Sequence, residues 1–468
     1  MLAVYFLAPE RWGNVVLLVA SLIFYAWGGP AYAVLMLVLI TLGFFFGLGI
    51  EHARGGAGAG ADSRDEAGAA SHGSAGAKTC LIAGLVCTVT ALFYFKYADF
   101  AISSFNFVTG ADAALLGIVL PVGISFYTFQ LMSYLIDVYR GEPACRNWIT
   151  LATYIAMFPQ LVAGPIVRYA DIRKQMSNRK RSAGDIAWGA RRFVLGLAKK
   201  VFIANQLFEL CALFRATDEP SVLFCWLYAL AFMLCIYFDF SGYSDMAIGL
   251  GRIFGFTFRE NFEHPYMSRS VTEFWRRWHI SLGSWFRDYV YIPLGGNRVS
   301  RMRWIFNVAV VWFVTGLWHG AAWNFVAWGL LFAVLLVFEK LVIGRLLEGS
   351  RVISRVYVLL AVCLSFVIFN ADGLAGAAAD LAGMFGLAGL PLVSAEALYQ
   401  LRSFAVVLVI AAVGSTSLVR DAARRLQADA RFGRVVAVVE PVFLAAMLLL
   451  CVAYLVDASF NPFLYFRF

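Results

Sequence analysis

The sequence predicts an all-α polytopic integral membrane protein, and three observations carry that expectation. Of 468 residues, 61% are hydrophobic and only 14% are charged, with a mean hydropathy of +0.75; a soluble protein carries about 25% charged residues. The apolar residues come in runs close to the roughly 20 residues that a helix needs to cross a bilayer. The basic residues, which give a net charge of +9, sit in short blocks between those runs. That is how cytoplasmic loops of membrane proteins are built, and it excludes a nucleic-acid-binding face.

Residues 2–9 are apolar but short, and the first residues, MLAVYFLAPERWG, lack the basic region of a cleavable signal peptide. Runs 14–28 and 31–50 read as a helical hairpin across Gly28-Gly29-Pro30. Residues 54–78 are rich in Gly, Ala and Ser without bulky apolar groups, which predicts a flexible loop. No strand precedes their glycines and no GK[ST] follows, so a phosphate-cradling loop is excluded. Spans are expected near 79–96 and 114–139. The second carries Ser125, Thr128, Gln130, Ser133 and Asp137, and polar groups at membrane depth face protein or a water-filled cavity. In 148–167, Pro159, Gly164 and Pro165 predict a re-entrant or kinked segment.

Residues 168–200 hold ten Lys and Arg and are expected in the cytoplasm, with an amphipathic, interfacial segment over 186–213. A long run, 221–250, leads into a block, 252–303, with nine arginines against four acids, also expected to be cytoplasmic. Further spans are expected near 304–320, 323–343, 353–371, 401–418 and 436–456, with five arginines in the cytoplasmic 420–434 loop. This makes about 11 membrane segments in a single domain, 1–468. Eight scattered cysteines without CxxC or zinc-type spacing read as small buried hydrophobes, and no metal site is expected.

Chemistry concentrates between Asn261 and His319. Taken as one helix, 273–289 places Trp275, Trp278, Leu282, Trp285, Phe286 and Tyr289 on one face, by 100° steps. Glu273, Arg277, Ser284 and Asp288 fall opposite, Arg276 and Arg287 flank them, and His279 lies at the aromatic edge. This is either an anchor helix in the cytoplasmic interface with snorkelling arginines, or one whose arginines also hold phosphates of an acyl donor. His319 stands in GLWHGAAWN. The 35 residues 304–338 are too long for one perpendicular span, so the chain must tilt, break or turn there. A histidine in an apolar segment is either hydrogen-bonded between helices or a general base for a hydroxyl. Asp239, Ser241, Tyr243, Ser244 and Asp245 in FDFSGYSDMAIG either cap a helix start or orient a histidine and line a polar tunnel. No GxSxG elbow is present, so a Ser-His-Asp triad is not supported.

Six stretches together resemble the membrane-bound O-acyltransferases: PVGISFYTFQ (121–130), FPQLVAGPIVRY (158–169), YFDFSGYSDMAIGLGRIFGF (237–256), NFEHPYMSRSVTEFWRRWHISLGSWFRDYVYIPLGGNR (261–298), GLWHGAAWNFVAWG (316–329) and NPFLYFRF (461–468). Within that family the chain looks like the bacterial branch that acetylates secreted polysaccharides such as alginate or cellulose. The resemblance implies a multi-helix fold with a cytoplasmic funnel and a tunnel. It implies that His319 is catalytic and that His279 occupies the second family position. Arg276, Arg277, Trp278, Arg287, Trp318 and Asn324 become candidates for donor binding or the tunnel, and Asp239, Ser241, Tyr243 and Asp245 for support. It further implies acetyl-coenzyme A as the acyl donor substrate with no bound cofactor, a location in the bacterial inner membrane, and an extracytoplasmic partner protein that passes acetyl groups to the exopolysaccharide. One departure is Phe369-Asn370-Ala371, where many relatives carry arginine in the middle position. D-alanyl transfer to an envelope polymer, a polysaccharide or lipid export channel, and a non-catalytic membrane scaffold are the competing readings.

Overall fold

A computed structural model of the protein describes residues 1–55, 74–179, 182–429 and 432–457; among them every regular element is helical. The chain divides into two compact units, Met1–Ser182 with Phe254–Phe258, and Ala183–Ile253 with the chain from Arg259 onward.

The first unit holds α1 (Leu2–Leu7), α2 (Gly13–Trp27), α3 (Pro30–Gly55), α4 (Ala75–Thr109), α5 (Ile124–Arg140), α6 (Trp148–Ala156), α7 (Phe158–Leu161) and α8 (Tyr169–Ser177). The expected hairpin turn forms: Gly29 takes φ 151°, which a side chain would strain, and Pro30 opens α3. Of the loop expected over 54–78, residues 56–73 lie outside the described residues, as do Lys180, Arg181, Arg431 and the 461–468 motif. Residues 114–139 do not form one span. Gly117 takes φ 63° and Gly123 φ 74°, Pro121 lacks an N–H, and the helix starts only at Ile124. The Asp99 carboxylate accepts from Leu116 N (2.7 Å) and Ile118 N (3.2 Å), so the irregular backbone finds its partners in a side chain. The expected kink over 148–167 appears as a break at Met157 between α6 and α7.

The second unit begins with α9 (Ala183–Ala198), a π turn (Lys199–Ala204) and α10 (Asn205–Ala216), which pack along α11 (Val222–Ile253). The expectation of an interfacial 186–213 helix misses this packing. A Cβ on Gly196 would lie 2.6 Å from the Gly242 carbonyl, and one on Gly189 2.5 Å from that of Gly249. The two helices therefore run antiparallel with their backbones in contact, the small-residue packing of membrane helices. The cations that made the segment look interfacial are neutralised within the protein. Arg192 and Lys199 bind Asp245 at 2.7 and 2.6 Å, and Lys200 binds Asp239 at 2.5 Å.

Then follow α12 (Val271–Arg277), α13 (Ile280–Phe286), α14 (Arg301–His319), α15 (Trp323–Phe338), α16 (Gly344–Gly349), α17 (Arg351–Phe369), α18 (Gly373–Met384), α19 (Ala395–Gly414), α20 (Leu418–Ala428) and α21 (Phe432–Asp457). The break expected within 304–338 falls at Gly320–Ala322, between α14 and α15. Among the described residues seven helices are long and apolar enough to cross a membrane: Pro30–Gly55, Ala75–Thr109, Val222–Ile253, Trp323–Gly349, Arg351–Phe369, Ala395–Gly414 and Phe432–Asp457. The other four of the eleven expected segments correspond to α2, α5, the α6–α7 pair and α14.

Candidate functional site

The stretch that sequence reasoning took as one helix, 273–289, is broken in the middle. Ser270 opens α12, its Oγ accepting from Glu273 N at 2.9 Å, the N-cap that S-x-x-E encodes, while the Glu273 carboxylate reaches one residue further back and accepts from Arg269 N at 2.8 Å. A buried carboxylate from far along the chain completes this start: Glu339 accepts from Val271 N (2.6 Å), Thr272 N (3.1 Å) and the Thr272 hydroxyl (2.7 Å). The helix ends at Arg277. Trp278 is extended, and His279 takes φ 45°, ψ 51° before α13 begins. For a non-glycine residue the left-handed conformation costs on the order of 1–2 kcal/mol and persists only where surroundings over-determine it.

The surroundings do so here. The His279 ring is 1% exposed, with Phe240 of α11 edge-on at 4.6 Å and Trp318 at 5.9 Å between centroids. Its Nδ1 lies 3.2 Å from Asn261 Oδ1, which also accepts from Ser281 N (3.2 Å) and Ser281 Oγ (2.9 Å). Asn261 Nδ2 donates to Ser244 Oγ at 3.1 Å. The break also turns the aromatic stripe inward. Trp278, Leu282, Trp285, Phe286 and Tyr289 are all buried, so they form a packed wall and not a headgroup-layer anchor.

His319 closes α14. Its Nδ1 lies 2.8 Å from the Thr315 carbonyl, which can only accept, so Nδ1 carries a hydrogen, and in the neutral ring the lone pair is on Nε2. Trp318 (4.9 Å), Trp328 (4.8 Å) and Phe369 (5.6 Å) surround the ring. Trp318 thus neighbours both histidine rings.

The remaining predicted residues separate into those that join this site and those that do not. A cavity of about 1220 Å³ opens beside it, lined by Arg269, Arg276, Arg287, Lys340 and Arg351, by Trp275, Trp304 and Trp312, and at one wall by Thr315, one turn before His319. Arg276 and Arg287 therefore sit where a donor group could meet them. Arg287 also pairs with Asp288 at 2.7 Å. Arg277 does not line the cavity and pairs with Glu273 at 2.7 Å. Trp278 packs among Phe262, Phe274 and Phe366. Asn324 ties the start of α15 to the end of α17, donating to the carbonyls of Phe369 (3.3 Å) and Ala371 (3.0 Å). Asn370, at the departure from the family pattern, donates to the Tyr228 hydroxyl at 2.7 Å, as does Arg215 at 2.8 Å.

Asp239, Ser241, Tyr243 and Asp245 lie in the middle of α11, so the helix-cap reading is overturned. The two aspartates bind Lys200, Lys199 and Arg192. Ser241 is buried and Tyr243 half-buried. Sequence reasoning missed Asn261 and Glu339. Both act on groups 17 to 68 positions away, a distance over which periodicity and local motifs carry no signal.

A model of the MBOAT, membrane-bound O-acyltransferase family matches residues 146–348, which include both histidines. The probable alginate O-acetylase of Azotobacter vinelandii is 42% identical over 390 residues, covering 82% of this chain and 75% of the relative. That of Pseudomonas aeruginosa is 42% identical over 379 residues, with 80% and 70% covered. The peptidoglycan O-acetyltransferase of Helicobacter pylori is 32% identical over 419 residues, with 82% and 75% covered. With seven helices of membrane-crossing length among the described residues, the chain belongs to the membrane-bound O-acyltransferase family and is a multi-pass membrane O-acyltransferase.

Proposed function

We propose that the protein moves acetyl groups from acetyl-coenzyme A, on the cytoplasmic side of the inner membrane, for O-acetylation of a secreted polysaccharide. The observation that carries the catalytic assignment is the fixed tautomer of His319. With Nδ1–H held by the Thr315 carbonyl, Nε2 is the basic nitrogen of the neutral ring, which is buried among aromatic rings. His319 Nε2 takes the proton of an acceptor hydroxyl as its oxygen attacks the acetyl carbonyl. The new C–O bond forms, the C–S bond breaks, and the proton passes to the departing thiolate. The cations and indoles of the adjoining cavity suit the phosphates and adenine of the donor. The alginate and peptidoglycan acetylating relatives support a polysaccharide as final acceptor. An extracytoplasmic protein partner would receive the acetyl group, and the basic loops 168–200, 252–303 and 420–434 would face the cytoplasm.

The test is His319→Ala in a strain that makes the polymer, with acetyl content and membrane protein level both measured. Loss of acetylation at normal protein level is expected; normal acetylation with stable protein removes His319 from catalysis. For the donor, membranes containing the chain and its partner are given radiolabelled acetyl-coenzyme A, and His319-dependent release of coenzyme A is expected.

A further inference from the structure

Asn261 sits in the loop after α11, is fully buried, and is joined to the site by hydrogen bonds. Those bonds determine more than packing. The backbone N–H of Ser281 can only donate, so the amide atom facing it at 3.2 Å is the oxygen, and the amide orientation is fixed. The His279 Nδ1 that faces the same oxygen at 3.2 Å must then carry a hydrogen, because two lone pairs would otherwise confront each other. Ser281 Oγ, 3.5 Å from Nδ1, does not change this, since it already reaches the same oxygen at 2.9 Å.

We propose that Asn261 is a positioning residue that holds His279 as the neutral Nδ1–H tautomer, so that its Nε2 serves as a hydrogen-bond acceptor in the acyl-transfer site. The inference rests on the reading of His319 as the base. The need for such a residue follows from the broken helix. His279 is left-handed at the junction, so no helix fixes its ring, and the first-turn donors of α13 lack a local cap. Asn261 supplies both: its backbone carbonyl takes Ile280 N–H at 3.0 Å and its side chain takes Ser281 N–H, so the atom that caps α13 also orients the imidazole. Ser244 Oγ, accepting from Nδ2 at 3.1 Å, anchors the amide to α11.

The groups around the ring keep it neutral. α11 presents Phe240, the loop Asn261, α13 Ser281, and α14 Trp318 and His319. Of these only His319 is itself an ionisable side chain. Burial holds the His279 imidazole well below its ordinary range, and charge on His319 pushes it the same way. Both histidines then carry their lone pair on Nε2. His319 can accept a proton in the reaction only while its neighbour stays uncharged.

Asn261→Asp separates positioning from simple packing. The carboxylate still accepts from Ser281 and His279, and its second oxygen accepts from the Ser244 hydroxyl. It also places a negative charge against Nδ1–H. An opposite charge at this range raises an imidazole's affinity for protons by about one to three pH units. The acid limb of coenzyme A release, measured on membranes with the full chain and partner between about pH 5 and 9, is expected to move upward by that amount, with activity recovered at high pH. Ser244→Ala should leave the limb in place. A profile for Asn261→Asp that superimposes on the parent after scaling overturns the proposal.

If Asn261→Asp does not accumulate, His279→Gln decides the matter. Its Oε1 can stand as an acceptor where Nε2 stood, so activity above that of His279→Ala is expected; equal loss in both, at equal protein level, overturns the proposal. An active His319→Ala would instead defeat the reading beneath it, while an inactive His319→Ala with an unshifted Asn261→Asp profile defeats only this inference.

Discussion

At the scale of single residues, the wall beside His319 holds a donor that the fold leaves unused. The indole Nε1 of Trp328 is buried with no hydrogen-bond partner among the described residues, and its ring lies 4.8 Å from that of His319. A buried donor without a partner costs about 1–3 kcal/mol, a cost that packing alone does not require, since phenylalanine fills most of the same space. In the acyl-transfer reading the group that brings an acceptor is the acetyl carbonyl, whose oxygen becomes negative as the hydroxyl attacks. A donor aimed at developing charge contributes about 10²–10³ in rate. Trp328→Phe is therefore expected to lower kcat by about 10²-fold while KM for the donor stays within a factor of two or so. A variant with unchanged kcat, or one that loses only protein level, assigns Trp328 to packing. The residue scale was also where sequence reading was weakest. His319 and Arg276 could be singled out because a histidine in an apolar run and arginines among tryptophans are locally visible. Asn324 could not be sorted from them, although its amide nitrogen donates to the carbonyls that end α17.

Among the elements, two helix pairs show why some of the fold was legible and some was not. The α14–α15 break was readable because its cause is local: 35 residues exceed one crossing, and glycines flank His319. The break at His279 was not, because the 273–289 sequence has good helical periodicity on both sides. What interrupts it is Asn261, reaching the α13 start from outside, a tertiary contact that outweighs local propensity. The α9–α11 pair was half-readable. Its cations were seen, but their carboxylate partners on α11 and the glycines that bring the backbones together were not. Those glycines give a test of the packing. A Cβ on Gly242 would stand 2.8 Å from the Gly196 carbonyl and 3.3 Å from Lys199 Cβ, and neither side can yield without separating the helices. Gly242→Val is expected to destabilise by about 1–3 kcal/mol or more. It should reduce the monodisperse fraction in detergent chromatography and lower the midpoint of a thermal series. Gly349→Ala is the control: nothing lies within 4 Å of a Cβ there, and a change of no more than about 0.5 kcal/mol is expected. Equal behaviour of the two variants would mean that α9 and α11 are not in backbone contact.

For the molecule as a whole, charge is the organising quantity. The arginines that the sequence places in separate blocks, Arg269 and Arg276 before α13 and Arg351 at the start of α17, converge with Arg287 and Lys340 on one cavity. Two acids share its lining, Glu339 and Glu348, and Glu339 is committed to the α12 backbone. Lys340 is partly spent as well, its Nζ lying 4.4 Å over the Trp304 ring. Arg276 and Arg351 make no ion pair among the described residues, so the cavity presents surplus positive charge that the fold itself does not use. Exposed cations of this kind add little to stability and are suited to a ligand that brings several negative charges. If that ligand is the phosphate-bearing part of the acyl donor, its attraction is the same before and in the transition state, because the phosphates do not change charge when the acetyl group leaves. Such uniform binding appears in KM and not in kcat. Arg276→Gln and Arg351→Gln are each expected to raise KM for acetyl-coenzyme A by about 5- to 30-fold, the equivalent of roughly 1–2 kcal/mol per charge-assisted contact, with kcat nearly unchanged. The wild-type KM should rise with ionic strength as well, and less steeply in either variant, since each has lost one screened attraction. Variants that keep the parental KM and its salt dependence would place the donor's phosphates elsewhere. A fall in kcat alone would mean that these arginines act on the reacting groups themselves.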